Sequence, residues 1–225
     1  MALPPLKKSE TLSNKAYQVI RDAIVSSQFS PNDVLIEEKL SAELSISRTP
    51  IRTALHRLVE DGLAKVQGKS IVVSPLTEDD IADISLVRQS VELLVMEQLK
   101  DKATPALIRK LRESIDCQKQ SLMSSASDYL EYINQDYIFH TTLARGTENR
   151  FLLDLTERIN THSNRCLMLS STLAISFESA TQEHAAIVDA LEANDYDGAY
   201  QAMYNHLQRI KNRYILRTMQ PEQTD

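Results

Sequence analysis

The stretch Ser47-Arg48-Thr49-Pro50-Ile51-Arg52-Thr53-Ala54-Leu55-His56-Arg57-Leu58-Val59-Glu60-Asp61-Gly62-Leu63 decides the fold. Ser47 is a helix-capping type, Ile51, Leu55 and Leu58 recur at helical spacing, and Gly62 supplies a stop, so the pattern predicts a helix from about Arg48 to Asp61. Just upstream a short helix is expected over Glu37–Leu44, separated from it only by Ser45-Ile46, and two helices joined so tightly form a helix-turn-helix. Further upstream, Ala16, Val19, Ile20, Ala23 and Ile24 make an apolar stripe on a helix capped by Ser13 and ending near Ser27, before the turn Ser30-Pro31-Asn32-Asp33. Downstream the period changes. Ala64–Gln67 and Ser70–Ser74 read as two short strands around Gly68-Lys69, a β-wing.

Beyond the wing everything reads as helix. Thr77 with Asp80 three residues later makes a capping box for a helix to about Lys100, and Thr104-Pro105 opens another to about Ser121. Further helices are expected near Asp128–Ala144, Arg150–Ser170, Glu178–Ala193 and Tyr196–Arg217. The fold class is therefore mainly α: an N-terminal winged helix-turn-helix domain over residues 1–76 and a C-terminal all-helical antiparallel bundle over 77–225. A chain of 225 residues has room for two such cores, and only four glycines and seven prolines fit a helix-rich protein.

The N-terminal MALPPLKKSE lacks the apolar core of a signal peptide and no apolar run is long enough to span a bilayer, so a cytoplasmic location with no membrane partner is expected. Cys117 and Cys166 form no CxxC pair and read as plain buried thiols.

The net charge of −6 opposes simple polyanion binding, but it is unevenly spread. Residues 1–76 carry ten Lys/Arg against eight Asp/Glu, and the remainder fifteen against twenty-three. Only the N-terminal third suits phosphate. There Arg48 and Arg52 share one helix face, opposite the apolar Ile51, Leu55 and Leu58. The hydroxyls of Ser47 and Thr49 suit phosphate oxygens, an arginine can make a bidentate contact to a guanine edge, and Lys69 at the wing tip can reach a phosphate or the minor groove. His56, late in the same helix, reads as a surface or edge residue.

In the helical half, Asp136 and His140 are four apart within an apolar helical pattern and project side by side. His184 and His206 lie on two later helices beside core-type residues. One carboxylate and three imidazoles suit a divalent transition metal, with zinc and nickel placed before iron and manganese. His162 reads as a surface residue. Arg88 can pair with Glu92 on its own helix.

Residues Ala16–Leu76, through Leu35-Ile36-Glu37-Glu38-Lys39-Leu40, Ser47–Leu55 and Leu58–Leu63, resemble the GntR family of winged-helix regulators. The resemblance implies that Ser47, Arg48, Thr49, Arg52 and Gly68 meet operator DNA, and it departs at Glu38, where several members carry arginine. The helical half resembles the FadR-like, or FCD, branch through Leu86–Glu92, Asp136–His140, Asn149–Leu152, Glu183–Leu191 and Ala199–His206. That likeness implies a metal held by Asp136, His140, His184 and His206, and an organic-acid effector paired with Arg88. The expected protein is thus a cytoplasmic, homodimeric transcription repressor released by a small organic acid. A regulator in which the metal is itself the signal is the alternative. A metal-dependent enzyme ranks below it, because no HExxH, nucleophile motif or glycine-rich phosphate loop is present.

Overall fold

The computed structural model describes residues 11–121, 126–170 and 173–218, and the chain divides after Pro75 into two compact units. In the first, α1 (Leu12–Val25), α2 (Glu37–Glu43) and α3 (Arg48–Glu60) precede β1 (Ala64–Gln67) and β2 (Ser70–Val73). The cap of α1 is Thr11 rather than Ser13: its backbone is extended and its hydroxyl accepts from Asn14 N at 3.3 Å. Two hydroxyls two residues apart compete for the same orphan N–H groups, and Thr11 has the non-helical backbone that a cap needs.

Ile20 and Ile24 of α1, Leu40 of α2 and Ile51, Leu55 and Leu58 of α3 close one core with Leu35, Leu63 and Val73. The strands pair antiparallel with Gln67 opposite Ser70, leaving Gly68-Lys69 as the two-residue loop. Gly68 has φ +63°, the left-handed region that such hairpin loops require and glycine enters without strain. Val34 bridges Val72 as a third, minimal edge of this sheet.

Tyr17 ties α1 to the end of α3: its hydroxyl donates to Asp61 Oδ2 at 2.7 Å while the Arg57 guanidinium lies over its ring at 3.9 Å. Burial, then the Asp61 hydrogen bond, push the Tyr17 hydroxyl from 10.0 up to about 12. A raised value means that the stabilising contribution is complete below about pH 10 and disappears as pH rises through 12. Tyr17→Phe is expected to cost about 1 kcal/mol at neutral pH by denaturant melts. The same variant should lose the steeper part of the wild-type alkaline decline; equal stability of the two proteins at pH 7 would overturn the link.

The second unit comprises α4 (Glu78–Gln98), α5 (Pro105–Ser121), α6 (Ala126–Gly146), α7 (Arg150–Ser170), α8 (Leu173–Glu192) and α9 (Tyr196–Thr218). The capping box of Thr77 and Asp80 is complete, with each side chain bonded to the other's backbone N–H. Thr104 caps α5 through Leu107 N, and Asn149 caps α7 through Phe151 N and Leu152 N. Helix α8 begins at Leu173, ahead of the expected Glu178, and α6 at Ala126, because no glycine or proline in either stretch stops the earlier turn.

Helix α5 packs on α6 and α8, α9 on α8 and α4, and α7 on α4 and α6. Leu99, Leu111, Phe139, Val188, Leu191 and Met203 lie at the centre of the bundle. Cys166 is buried and its thiol is pushed up to about 12 by that burial, whereas Cys117 is only half-buried. Among the described residues no helix is long and apolar enough to cross a membrane.

Candidate nucleic-acid interface and metal centre

Helix α3 buries Ile51, Ala54, Leu55 and Leu58 and turns the opposite face outward. On that face the Arg48 and Arg52 side chains are 59% and 61% exposed. Ser47 occupies the N-cap with extended backbone and makes no side-chain capping bond, so its hydroxyl is not committed to closing the helix. Thr49 is exposed, and its carbonyl oxygen accepts from the Thr53 hydroxyl. Gly68 and Lys69 are exposed at the wing tip, and nothing lies within 4 Å of where a Cβ on Gly68 would stand.

The arginines have partners that sequence reading did not supply. Arg48 Nη1 lies 2.8 Å from Glu38 Oε1, and Arg52 donates to both oxygens of Glu37, through Nε at 2.9 Å and Nη2 at 2.8 Å. Both glutamates stand in the first turn of α2. The Arg52 hydrogen bond outweighs the cost of burial and, with the Arg52 and Arg48 charges, holds the Glu37 carboxyl below the ordinary range.

In the helical unit, the four residues read as ligands come together. Among the described residues, His140 of α6, His184 of α8 and His206 of α9 each place a ring nitrogen within 4.8 Å of the others. His184 Nε2 and His206 Nε2 are 3.3 Å apart. Asp136 Oδ1 lies 3.6 Å from His184 Nε2 and 3.8 Å from His140 Nε2. All three imidazoles are fully buried.

Each ring has an acceptor beside its other nitrogen. His140 Nδ1 is 2.7 Å from Glu92 Oε2, His184 Nδ1 is 2.8 Å from Gln118 Oε1, and His206 Nδ1 is 2.8 Å from Glu183 Oε2. These partners are acceptors, so each neutral ring carries its proton on Nδ1 and presents a lone pair on Nε2. The orientation of Gln118 follows from its amide Nε2, which donates to the Gln135 backbone carbonyl. Arg88 completes the set: Nε donates to Glu92 Oε1 at 2.7 Å, Nη1 to Ser163 at 2.6 Å and Nη2 to His140 Nε2 at 2.8 Å. Asn160 adds a further bond to Glu92 Oε1 at 3.0 Å.

This donor set fits a cation. With both protons on Nδ1, the Nε2 lone pairs of His184 and His206 face one another 3.3 Å apart beside a carboxylate, an arrangement that repels itself unless a positive charge, a metal ion or a proton, enters. Bond lengths of about 2.0–2.1 Å to a tetrahedral ion put two nitrogen ligands about 3.3–3.4 Å apart, which is the spacing of His184 and His206. Burial, then the charges of His206, His140 and Arg88, hold His184 well below the ordinary imidazole value, so it stays the neutral ring that ligation needs. At His140 the guanidinium of Arg88 supplies the positive charge.

Glu92 is the buried counter-charge. Burial pushes its carboxyl up, but the charges of Arg88 and His140 and their hydrogen bonds outweigh that and leave it well below the usual carboxylate range. His162 is half-buried rather than on the surface. His56 is exposed. Sequence reading had missed Gln118 and Glu183, and the only available signal was their place on the same helix faces as buried neighbours.

Two family descriptions match the chain: "Bacterial regulatory proteins, gntR family" over residues 12–73 and "FCD domain" over residues 83–209. Among curated relatives, the Uxu operon transcriptional regulator of Escherichia coli (strain K12) is 30% identical, covering 92% of this chain and 90% of its own length. The gluconate operon transcriptional repressor of Bacillus subtilis (strain 168) is 25% identical, covering 92% and 86%. Of solved structures, E. coli McbR/YncC superposes with a TM-score of 0.83 at 18% identity, covering 93% of this chain and all of the other. A GntR transcriptional regulator from Rhodococcus sp. RHA1 gives 0.79 at 22% identity, covering 90% and 97%.

Proposed function

Since the chain belongs to the gntR family of bacterial regulatory proteins and carries an FCD domain behind its winged head, we propose that it is a transcriptional repressor released by a small organic acid at a divalent-metal centre. It is a DNA-binding regulator of transcription, and its families describe regulators rather than enzymes. The observation that carries the finer reading is the convergence of His140, His184, His206 and Asp136 on one point next to the Arg88 guanidinium.

In this reading His140, His184, His206 and Asp136 hold zinc or nickel, or else iron or manganese. When bound, the ion supplies positive charge and an open position for an acid's oxygen. Arg88 does the orienting. His140 Nε2 cannot serve both Arg88 and an ion, so ligation at that atom returns Nη2 of Arg88 to the donors available to an organic anion, while Glu92 keeps Nε in place. A relative described as a gluconate operon transcriptional repressor supports the repressor reading and makes sugar acids the first ligands to try.

On the DNA side, Ser47, Arg48, Thr49 and Arg52 enter the major groove while Gly68 approaches the minor groove and Lys69 reaches a phosphate or that groove. Readers of this kind bind paired half-sites as two-fold dimers. The exposed Leu86, Val87 and Leu94 of α4 offer apolar surface for a second copy.

The test combines metal analysis of untreated protein with operator binding in the presence of organic and sugar acids. Metal retained through dialysis, with acids weakening operator affinity, is the expected result. Affinity that follows metal occupancy alone would replace this reading by a metal-signalled regulator. Arg52→Ala should weaken specific binding about tenfold or more, the range for a lost bidentate base contact, and an unchanged operator affinity removes Arg52 from the interface.

A further inference from the structure

We propose that Glu37 is a positioning residue for DNA reading: its carboxylate locks the Arg52 guanidinium so that the remaining edge of the fork meets one guanine in each half-site. The inference rests on α3 being the recognition helix.

A guanidinium has five N–H donors in one plane. Glu37 takes the side-on pair, Nε and Nη2, with two short bonds. That leaves the end-on edge, Nη1 and the outer hydrogen of Nη2, which is the edge that can span O6 and N7 of guanine. A two-bond carboxylate contact fixes the plane of the fork as well as its place. An exposed ion pair contributes little to stability, so orientation is the larger consequence of this contact. The rotamer freedom that Arg52 would otherwise lose on meeting DNA is already largely gone, which favours the specific complex.

The neighbouring pair behaves differently. Arg48 meets Glu38 through Nη1 at 2.8 Å, and both side chains are 59% exposed, whereas the Glu37 side chain is 27% exposed. Glu38 thus neutralises without fixing, and Glu37 does both. Removing either carboxylate takes one negative charge from the DNA face, so electrostatics alone predicts tighter binding to every duplex in both variants. Only a positioning role predicts that E37Q also loses selectivity.

The experiment is selection of bound duplexes from a random pool by the full-length protein, run in parallel with E37Q, E38Q and R52A, each first checked for an unchanged thermal melt. Wild type is expected to select a two-half-site motif. E37Q should select the same motif with the preference at one G·C pair per half-site reduced about tenfold, while its affinity for an unselected duplex rises. R52A should relax that same pair, and E38Q should keep every base preference. An E37Q motif identical to wild type overturns the proposal. So does relaxation of different base pairs by E37Q and R52A, which would mean that Glu37 reads a base directly. If R52A leaves every preference intact, Arg52 is not a base reader, and both this inference and that part of the proposed function fall.

Discussion

Glu92→Gln is expected to destabilise the helical unit by about 3–5 kcal/mol, the range for removing one member of a buried ion pair. Among the described residues Glu92 is one of the least exposed carboxylates, and it is met by Arg88 Nε, Asn160 Nδ2 and His140 Nδ1 at once. An amide keeps one acceptor but cannot balance the guanidinium charge, and its own N–H groups would face a ring nitrogen that already carries hydrogen. Because the folded-state value of Glu92 is depressed, its stabilisation exists above the ordinary carboxylate value and is lost as pH falls below it. Acid should therefore weaken the wild type more than the variant. Denaturant melts of E92Q, R88M and the R88M/E92L pair provide the check. The double variant should be less damaged than the sum of its parts, since no lone charge remains inside. A cost for E92Q below about 1 kcal/mol, or strict additivity, would show that the pair is not the internal counter-charge derived from its geometry.

Adding zinc or nickel to chelator-treated protein is expected to give the second large effect: stabilisation of about 2.7 kcal/mol when free metal stands a hundredfold above its dissociation constant. Neutral imidazole is the ligating form, and the depressed value of His184 means that binding should persist into mild acid further than an ordinary histidine would allow. The double variant His184→Ala with His206→Ala should lose the whole gain, and Asp136→Asn part of it. Thermal melts with zinc, nickel, manganese and iron(II) measure this directly. No gain in the wild type, or an equal gain in the double variant, would sink the metal assignment.

Much of this arrangement was legible from periodicity. The core face of α3 followed from Ile51, Leu55 and Leu58 lying at helical spacing, and this alone turned Arg48 and Arg52 outward. The capping box of Thr77 and Asp80 is a local signal and placed the start of α4 correctly. Three histidines on the core sides of separate helices implied a meeting, because a buried imidazole needs partners.

The partners themselves were another matter. Gln118 and Glu183 carry no motif, and their contacts with His184 and His206 depend on how α5, α8 and α9 pack, which a single sequence does not encode locally. The bidentate contact of Arg52 with Glu37 spans fifteen residues and exists only because the turn between α2 and α3 brings the first turn of α2 beside Arg52. Arg88 was legible as paired with Glu92 or open to an outside carboxylate; its bond to His140, which links the two possibilities, was not.

In the proposed reading of Arg48 and Arg52, the acidic first turn of α2 bears on how such a protein finds its target among an excess of wrong sequence. Two arginines that arrive already matched by carboxylates displace fewer counterions from an arbitrary stretch of duplex, so dwell times there are short and depend weakly on salt. Encounters with the genome then become brief and numerous, and arrest falls to the one sequence whose base edges complete a fork that is already aimed.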